Sequence, residues 1–432
     1  MNERDPRPSP LGEVSAHSDD GGVCAAQTPP VPGSSPGATS PKGEGLGVRS
    51  QFPAIAGWHY LDSAATAQKP RSVIDAITRA YDTDYATVHR GVYERSAVMT
   101  QSYENARAAV AAFIGASSAN EIIFTRNATE AINLVAQCLP KEGRNRVLVS
   151  SLEHHSNIVP WQLAGYELDV VPLTADGDID LDEAERMISD RHRLVAFAHV
   201  SNVLGSILDA KRAAQIARSK GALLLLDGCQ AAPRIPVDVA AIGCDFYALS
   251  AHKLYGPTGI GCLWGHADLL DAMPPYQGGG AMIDSVTFER TTYAPPPQRF
   301  EAGTPHIVGA VGLHAAIDWV QAIGLDAIHA HETALVRECR EALGRINSVR
   351  LFGPEDSAGI VSFAVEGVHP HDIGTILDDE NVAIRAGHHC AQPLMSVLGV
   401  PATARASFAA FSDSSDIEAL VAGIHKVQRI FG

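Results

Sequence analysis

Six short apolar runs lie between residues 120 and 265, at 121–124, 146–149, 168–171, 194–197, 223–226 and 245–249. None alternates apolar with polar positions, and helix-length stretches separate them. That pattern predicts strands buried on both faces of a mainly parallel sheet, so the fold class expected is α/β. Beyond residue 318 the period lengthens. Helices are predicted over 327–343 and 416–430, flanking strands such as 359–363, which makes a second, smaller α+β domain.

Ahead of these elements the pattern disappears. Residues 1–48 hold 22 Pro, Gly or Ser and no Phe, Tyr, Trp or Ile, too little apolar surface to offset the entropy of ordering. The expected organisation is therefore a disordered tail over 1–48, a large α/β domain over 49–317 whose first residues pack on the small domain, and a small domain over 318–432. The tail reads as a linker or a partner-binding arm. No repeat of solenoid length is visible.

A formal charge of −16 gives no electrostatic footing for nucleic acid, which needs clustered Lys and Arg. No stretch approaches the roughly 20 apolar residues that span a bilayer, and no basic-then-apolar leader opens the chain. The expectation is a cytoplasmic protein without membrane contact. Seven cysteines, at 24, 138, 229, 244, 262, 339 and 390, form no CxxC pair, which argues against a disulfide framework or a structural zinc. No metal is expected.

In open α/β sheets ligands sit beyond the carboxyl ends of strands, and the candidate chemistry gathers there. The run 223–226 ends at Asp227, an expensive place for an unpaired carboxylate. The protonated ring nitrogen of pyridoxal phosphate (PLP) would relieve that cost; a turn or helix cap is the plain alternative. Twenty-six residues later, the run 245–249 leads into Ser250-Ala251-His252-Lys253. A lysine held there among small residues could condense with an aldehyde, although lone lysines are usually solvated. The segment Arg126-Asn127-Ala128-Thr129-Glu130 joins the run 121–124 to a helical stretch over 131–139, a seat for phosphate or an ordinary cap. His154 follows another strand and could stack on the ring and move protons near neutral pH, or simply be a satisfied turn residue.

With these residues in place, the sequence from about Val48 to Gly432 resembles the class V aminotransferase-like family and, within it, the SUF-type cysteine desulfurases and selenocysteine lyases. Further segments carry the resemblance: Leu61-Asp62-Ser63-Ala64-Ala65, Val88-His89-Arg90-Gly91, Glu153-His154-His155, Ser201-Asn202-Val203-Leu204-Gly205, Phe300-Glu301-Ala302-Gly303-Thr304-Pro305 and Arg385-Ala386-Gly387-His388-His389-Cys390. The resemblance implies a fold type I PLP enzyme working as a homodimer. It places the covalent tether on Lys253, the ring-nitrogen contact on Asp227, the ring-hydroxyl contact on Gln230, ring stacking on His154, and phosphate contacts on Thr129, Ser250 and His252. Thr304 would reach the phosphate of a neighbouring subunit. Arg405 would anchor the substrate carboxylate bidentately, with Asn202 near the cofactor and Arg385 near the substrate. Cys390, in a short interval typical of the SUF branch, would receive sulfur from L-cysteine as a persulfide and pass it to a SufE-like or SufU-like acceptor for iron–sulfur cluster assembly. Cys229, Ala251, Ala386 and Asn127-Ala128 depart from the family's usual Ala, Gly, Thr and Gly-Thr.

Thiol activation needs positive potential or a base, for which Arg385, His388 and His389 are candidates. Cysteines more often end as inert core, and His388, His389 and Cys390 as adjacent residues make a poor metal site. Two other activities use the same residues. A selenocysteine lyase would lean less on Cys390, and an ordinary aminotransferase would ignore it. A non-enzymatic scaffold would not need the Lys253, Asp227 and Cys390 set.

Overall fold

The computed structural model describes residues 45–431, so the tail expected over 1–48 lies outside the described residues up to position 44. Within the last part of that range Leu46 packs partly, and Val48 fully, against the main hydrophobic core.

All six apolar runs are strands of one sheet: β1 (Ile122–Thr125), β2 (Arg146–Ser150), β3 (Glu167–Val171), β4 (His192–Ala198), β5 (Leu223–Asp227) and β6 (Phe246–Ser250), joined by β7 (Gly261–Gly265) in the order β1-β7-β6-β5-β4-β2-β3. β2 pairs in parallel with β3 and β4, β4 with β5, and β5 with β6. β7 alone is reversed, antiparallel to both β1 and β6. Every residue of β4 and β6 is buried, which is why these strands read as continuous apolar runs rather than as alternation.

The reversed strand places one residue at a junction. Gly261 is paired with Thr125 at the end of β1 and with Ser250 at the end of β6. A Cβ there would lie 2.6 Å from the Leu249 carbonyl oxygen and 2.7 Å from Asn127 Cα. Only glycine lets the turn after β1 close over the end of β6.

Helix α1 (Glu94–Phe113) packs beside α3 (Ile307–Ile323), while α2 (Ala128–Cys138) follows β1 directly. Asn127 caps α2, its Oδ1 accepting from the Glu130 N–H at 2.9 Å. The helix therefore begins three residues ahead of the start expected at 131. Helix α3 runs unbroken across the boundary expected at 317/318 and is followed by α4 (Leu325–Gly344).

A second, antiparallel sheet contains β8 (Val349–Phe352), β9 (Ile360–Val365), β10 (Arg385–Gly387) and β11 (Thr403–Ser407), in the order β8-β9-β11-β10. With α4 and the C-terminal helix Ser414–Phe431 it encloses its own core, including Val361, Phe363, Leu420 and Ile424. Leu61 belongs to that core, and His59–Tyr60 pairs in parallel with Val382–Ala383. The start of the described chain is thereby stitched to this second core, and Asp62 bridges Ser407 of β11 in parallel. Among the described residues no single helix is long and apolar enough to cross a membrane.

Candidate active site

The carboxyl ends of β1, β2, β4, β5 and β6 face a cavity of about 230 Å³. Of the residues expected from sequence, Thr129, His154, Asn202, Asp227, Gln230, Ser250, His252, Lys253, Arg385, Cys390 and Arg405 all line it. Thr304 does not. It lines a separate cleft with Tyr103, Arg126 and Glu301 on the other side of the β1–α2 turn.

One end of the cavity is built for an anion. The Ala128 N–H donates to Ser250 Oγ at 2.9 Å, which leaves the Ser250 hydroxyl proton free, and the N-terminus of α2 adds its dipole. Nδ1 of His252 lies 3.2 Å from Thr66 Oγ1. Burial, aided by Lys253 and Lys69, pushes His252 down to about 4, so its ring is neutral.

Another part of the lining suits a cation. One oxygen of the buried Asp227 accepts from the Cys229 N–H at 3.0 Å, and the carboxylate faces the cavity from the tip of β5. The amide of Gln230, also in the lining, is fixed by its neighbours: Oε1 accepts from Arg234 Nη1 at 2.8 Å and Nε2 donates to the Ala64 carbonyl at 2.7 Å. That leaves the second N–H of this amide for the cavity. A seat for an anion, a neutral donor and a carboxylate on one cavity suit the phosphate, ring hydroxyl and ring nitrogen of PLP.

Nδ1 of His154 accepts the Ser156 N–H at 3.1 Å, so its proton sits on Nε2. Desolvation and Lys253 push His154 down to about 4. The ring is thus a neutral face near pH 7 in the protein itself, not the titrating shuttle expected from its sequence position. Behind it, Glu153 is buried and accepts from Ser150 Oγ at 2.5 Å, the Ala198 N–H at 3.1 Å and Asn157 Nδ2 at 2.6 Å. Burial pushes Glu153 up to about 7.

Arg405, on β11, is 1% exposed. Its Nη1 donates to the Asn202 carbonyl at 2.7 Å and its Nη2 to Asp62 Oδ1 at 3.0 Å, while Nε is buried without a partner among the described residues. Burial lowers Arg405 to about 10, still a cation at neutral pH.

Cys390 sits in the turn between β10 and helix α5 (Gln392–Leu398) and is only partly buried, whereas the other cysteines among the described residues are buried. His389 and Cys390 both adopt left-handed backbone, with φ 54° and 55°. The turn is held by Asn202 Nδ2, which donates to the His389 carbonyl at 2.7 Å, and by the Ala391 N–H bonded to His388. His389 corrects an expectation. Its ring is buried against Thr403, and desolvation with Arg405 and Arg385 pushes it down to about 3. A neutral imidazole cannot supply positive potential to the thiol; of the other two candidates Arg385 lines the cavity and His388 does not.

Several contributors escaped the sequence reading of roles: Asp62 on Arg405, Arg234 on Gln230, Glu153 behind His154, and Ser156 on its ring. Asp62 reaches Arg405 across 343 positions, for which no local signal exists; the other three act on near neighbours, but only the fold shows that their side chains meet.

Fold and site together define an α/β protein with a lysine and a cysteine opening onto one anion-binding cavity. The family model for class-V aminotransferases matches residues 59–420, and the chain belongs to that family. It is 49% identical over 381 residues to a cysteine desulfurase of Dickeya dadantii, covering 86% of this chain and 92% of that protein. A probable cysteine desulfurase of Streptomyces coelicolor is 45% identical over 387 residues, with coverage of 86% and 93%. Among solved structures, the cysteine desulfurase CsdA of Escherichia coli superposes with a TM-score of 0.84 at 39% identity, over 89% of this chain and 98% of that one. The apo cysteine desulfurase of Thermococcus onnurineus gives 0.85 at 38%, over 88% and 97%. The α/β architecture with a mainly parallel sheet is the fold type I architecture expected.

Proposed function

We propose that this chain is a PLP-dependent cysteine desulfurase, and the observation that carries the reading is that Lys253, Cys390 and Arg405 line one cavity. Ser250, Thr129 and His252 would hold the cofactor's phosphate, Asp227 its ring nitrogen, Gln230 its ring hydroxyl and His154 its face, with Lys253 as the covalent tether. Bound there, PLP supplies an electron sink that weakens bonds around the substrate α-carbon.

The protein's own groups do the rest. Arg405 holds the carboxylate of L-cysteine through its guanidinium. The amine of Lys253 would move the α-proton. The sulfur of Cys390, as thiolate, bonds to the substrate sulfur while the carbon–sulfur bond breaks and its electron pair remains on carbon, which takes a proton. The balance is L-cysteine plus thiol giving L-alanine plus persulfide. Arg385 places a fixed positive charge in the cavity where that thiolate reacts.

Thr304, which stands outside this cavity, would complete the site of a second copy in a homodimer. The persulfide would pass to a SufE-like or SufU-like acceptor protein in the cytoplasm and serve iron–sulfur cluster assembly. Incubation with L-cysteine and a reductant tests the core reading. Wild type should yield sulfide and alanine in equal amounts, and Cys390→Ser should lose sulfide release by at least about 100-fold. Equal turnover by both proteins would remove Cys390 from the reaction; retained turnover of selenocysteine alone by Cys390→Ala would favour a selenocysteine lyase.

A further inference from the structure

The left-handed pair at His389 and Cys390 is backbone that L-residues adopt at an energetic cost, and it persists only where neighbours over-determine it. Asn202 and Thr403 restrain the His389 side of the turn. On the Cys390 side both contacts come from one residue. The His155 N–H donates to the Cys390 carbonyl at 2.7 Å, and His155 Nε2 accepts from the Gln392 N–H at 3.0 Å. Gln392 is the first residue of α5, so this ring nitrogen also satisfies an N–H that the helix leaves open.

We propose that His155 is a positioning residue for the Cys390 thiol: its backbone and its ring grip the chain at two points just after the Cys390 α-carbon, opposite the Asn202 and Thr403 contacts to His389, and hold the sulfur toward the cavity. This rests on the sulfur-transfer role of Cys390 given above. An imidazole nitrogen that accepts an N–H carries no proton, so the clasp requires the neutral ring. Desolvation and the nearby His388 favour that form by lowering the proton affinity of His155. The residue stands at the edge of the cavity rather than among its lining, so it acts through the turn and not on substrate.

The experiment compares full-length His155→Ala with His155→Gln, whose Oε1 can replace Nε2 as acceptor. Amide hydrogen exchange of the 386–392 segment and the single-turnover rate of Cys390 persulfide formation are both read. The Lys253-dependent absorbance change on adding L-cysteine serves as an internal control. In His155→Ala, exchange across the segment should rise and persulfide formation should slow by about three- to tenfold, the scale of one lost hydrogen bond, with the absorbance change at the wild-type rate. His155→Gln should restore both. Wild-type exchange and persulfide rates in His155→Ala would overturn the assignment, as would equal slowing of the absorbance change. Undiminished sulfide release from Cys390→Ser would instead overturn the sulfur-transfer reading, and the exchange result would stand apart from it.

Discussion

Arg405 has a carboxylate on only one of its nitrogens, although it is buried. A guanidinium so placed can serve Asp62 and a substrate carboxylate together because its donors are set in a rigid fork; an ammonium cannot. Arg405→Lys should therefore raise KM for L-cysteine by about tenfold or more while changing kcat less, as initial rates would show. Glu153 poses the converse case. As carboxylate, on the alkaline side of its raised value of about 7, it accepts three hydrogen bonds and has no donor to give. In Glu153→Gln an amide N–H must face another donor, so urea unfolding should show a loss of about 1–3 kcal/mol. Unchanged stability would mean that the network rearranges. Eleven of the twelve site residues named from sequence line the cavity, Thr304 being the exception, and they were legible because the chemistry gathers after apolar runs and in family segments. Asp62, Arg234 and His155 were not legible as supports, since their partners lie at positions 405, 230 and 392, and only the folded chain brings the first and last of these pairs together.

At the level of elements, the six apolar runs announced their strands. β7 did not, because Gly-Cys-Leu-Trp-Gly is short, begins and ends in glycine, and resembles a turn as much as a strand. Yet β7 aligns the ends of β1 and β6, and with them the anion seat and the segment carrying Lys253. Gly261→Ala should push the Asn127 backbone away from Leu249 and open that seat. The expected result is PLP bound at least about tenfold more weakly, read by equilibrium dialysis against free cofactor. Wild-type affinity would show that the turn yields without cost. Helix α2 begins at Ala128 rather than at 131 because the Asn127 side chain accepts the Glu130 N–H and so opens the first turn three residues earlier.

Across the whole molecule, burial sets the response to acid. Unfolded imidazoles take up protons near pH 6.5, but His154, His199 and His252 hold off until about 4 and His389 until about 3. Below about pH 6.5 the unfolded chain thus binds protons that these sites refuse, and stability falls as pH drops. Glu153 and Glu332, raised by burial to about 7, act in the opposite sense. Four imidazoles outweigh two carboxyls over this window, so the urea midpoint should be lower at about pH 5 than at about 6.5. An equal or higher midpoint at the lower pH would contradict the burial of these rings as neutral species.

Asn202 has one further consequence. Its carbonyl receives Arg405 and its side chain holds the turn that carries Cys390, so under the proposed reading a single residue would fix the separation of the two groups that meet the ends of the substrate, like the jaws of a caliper. Homocysteine, longer by one methylene or about 1.5 Å, would have its head gripped at the same point while its sulfur overshoots. Discrimination against that longer amino acid should appear in the persulfide-forming step rather than in binding.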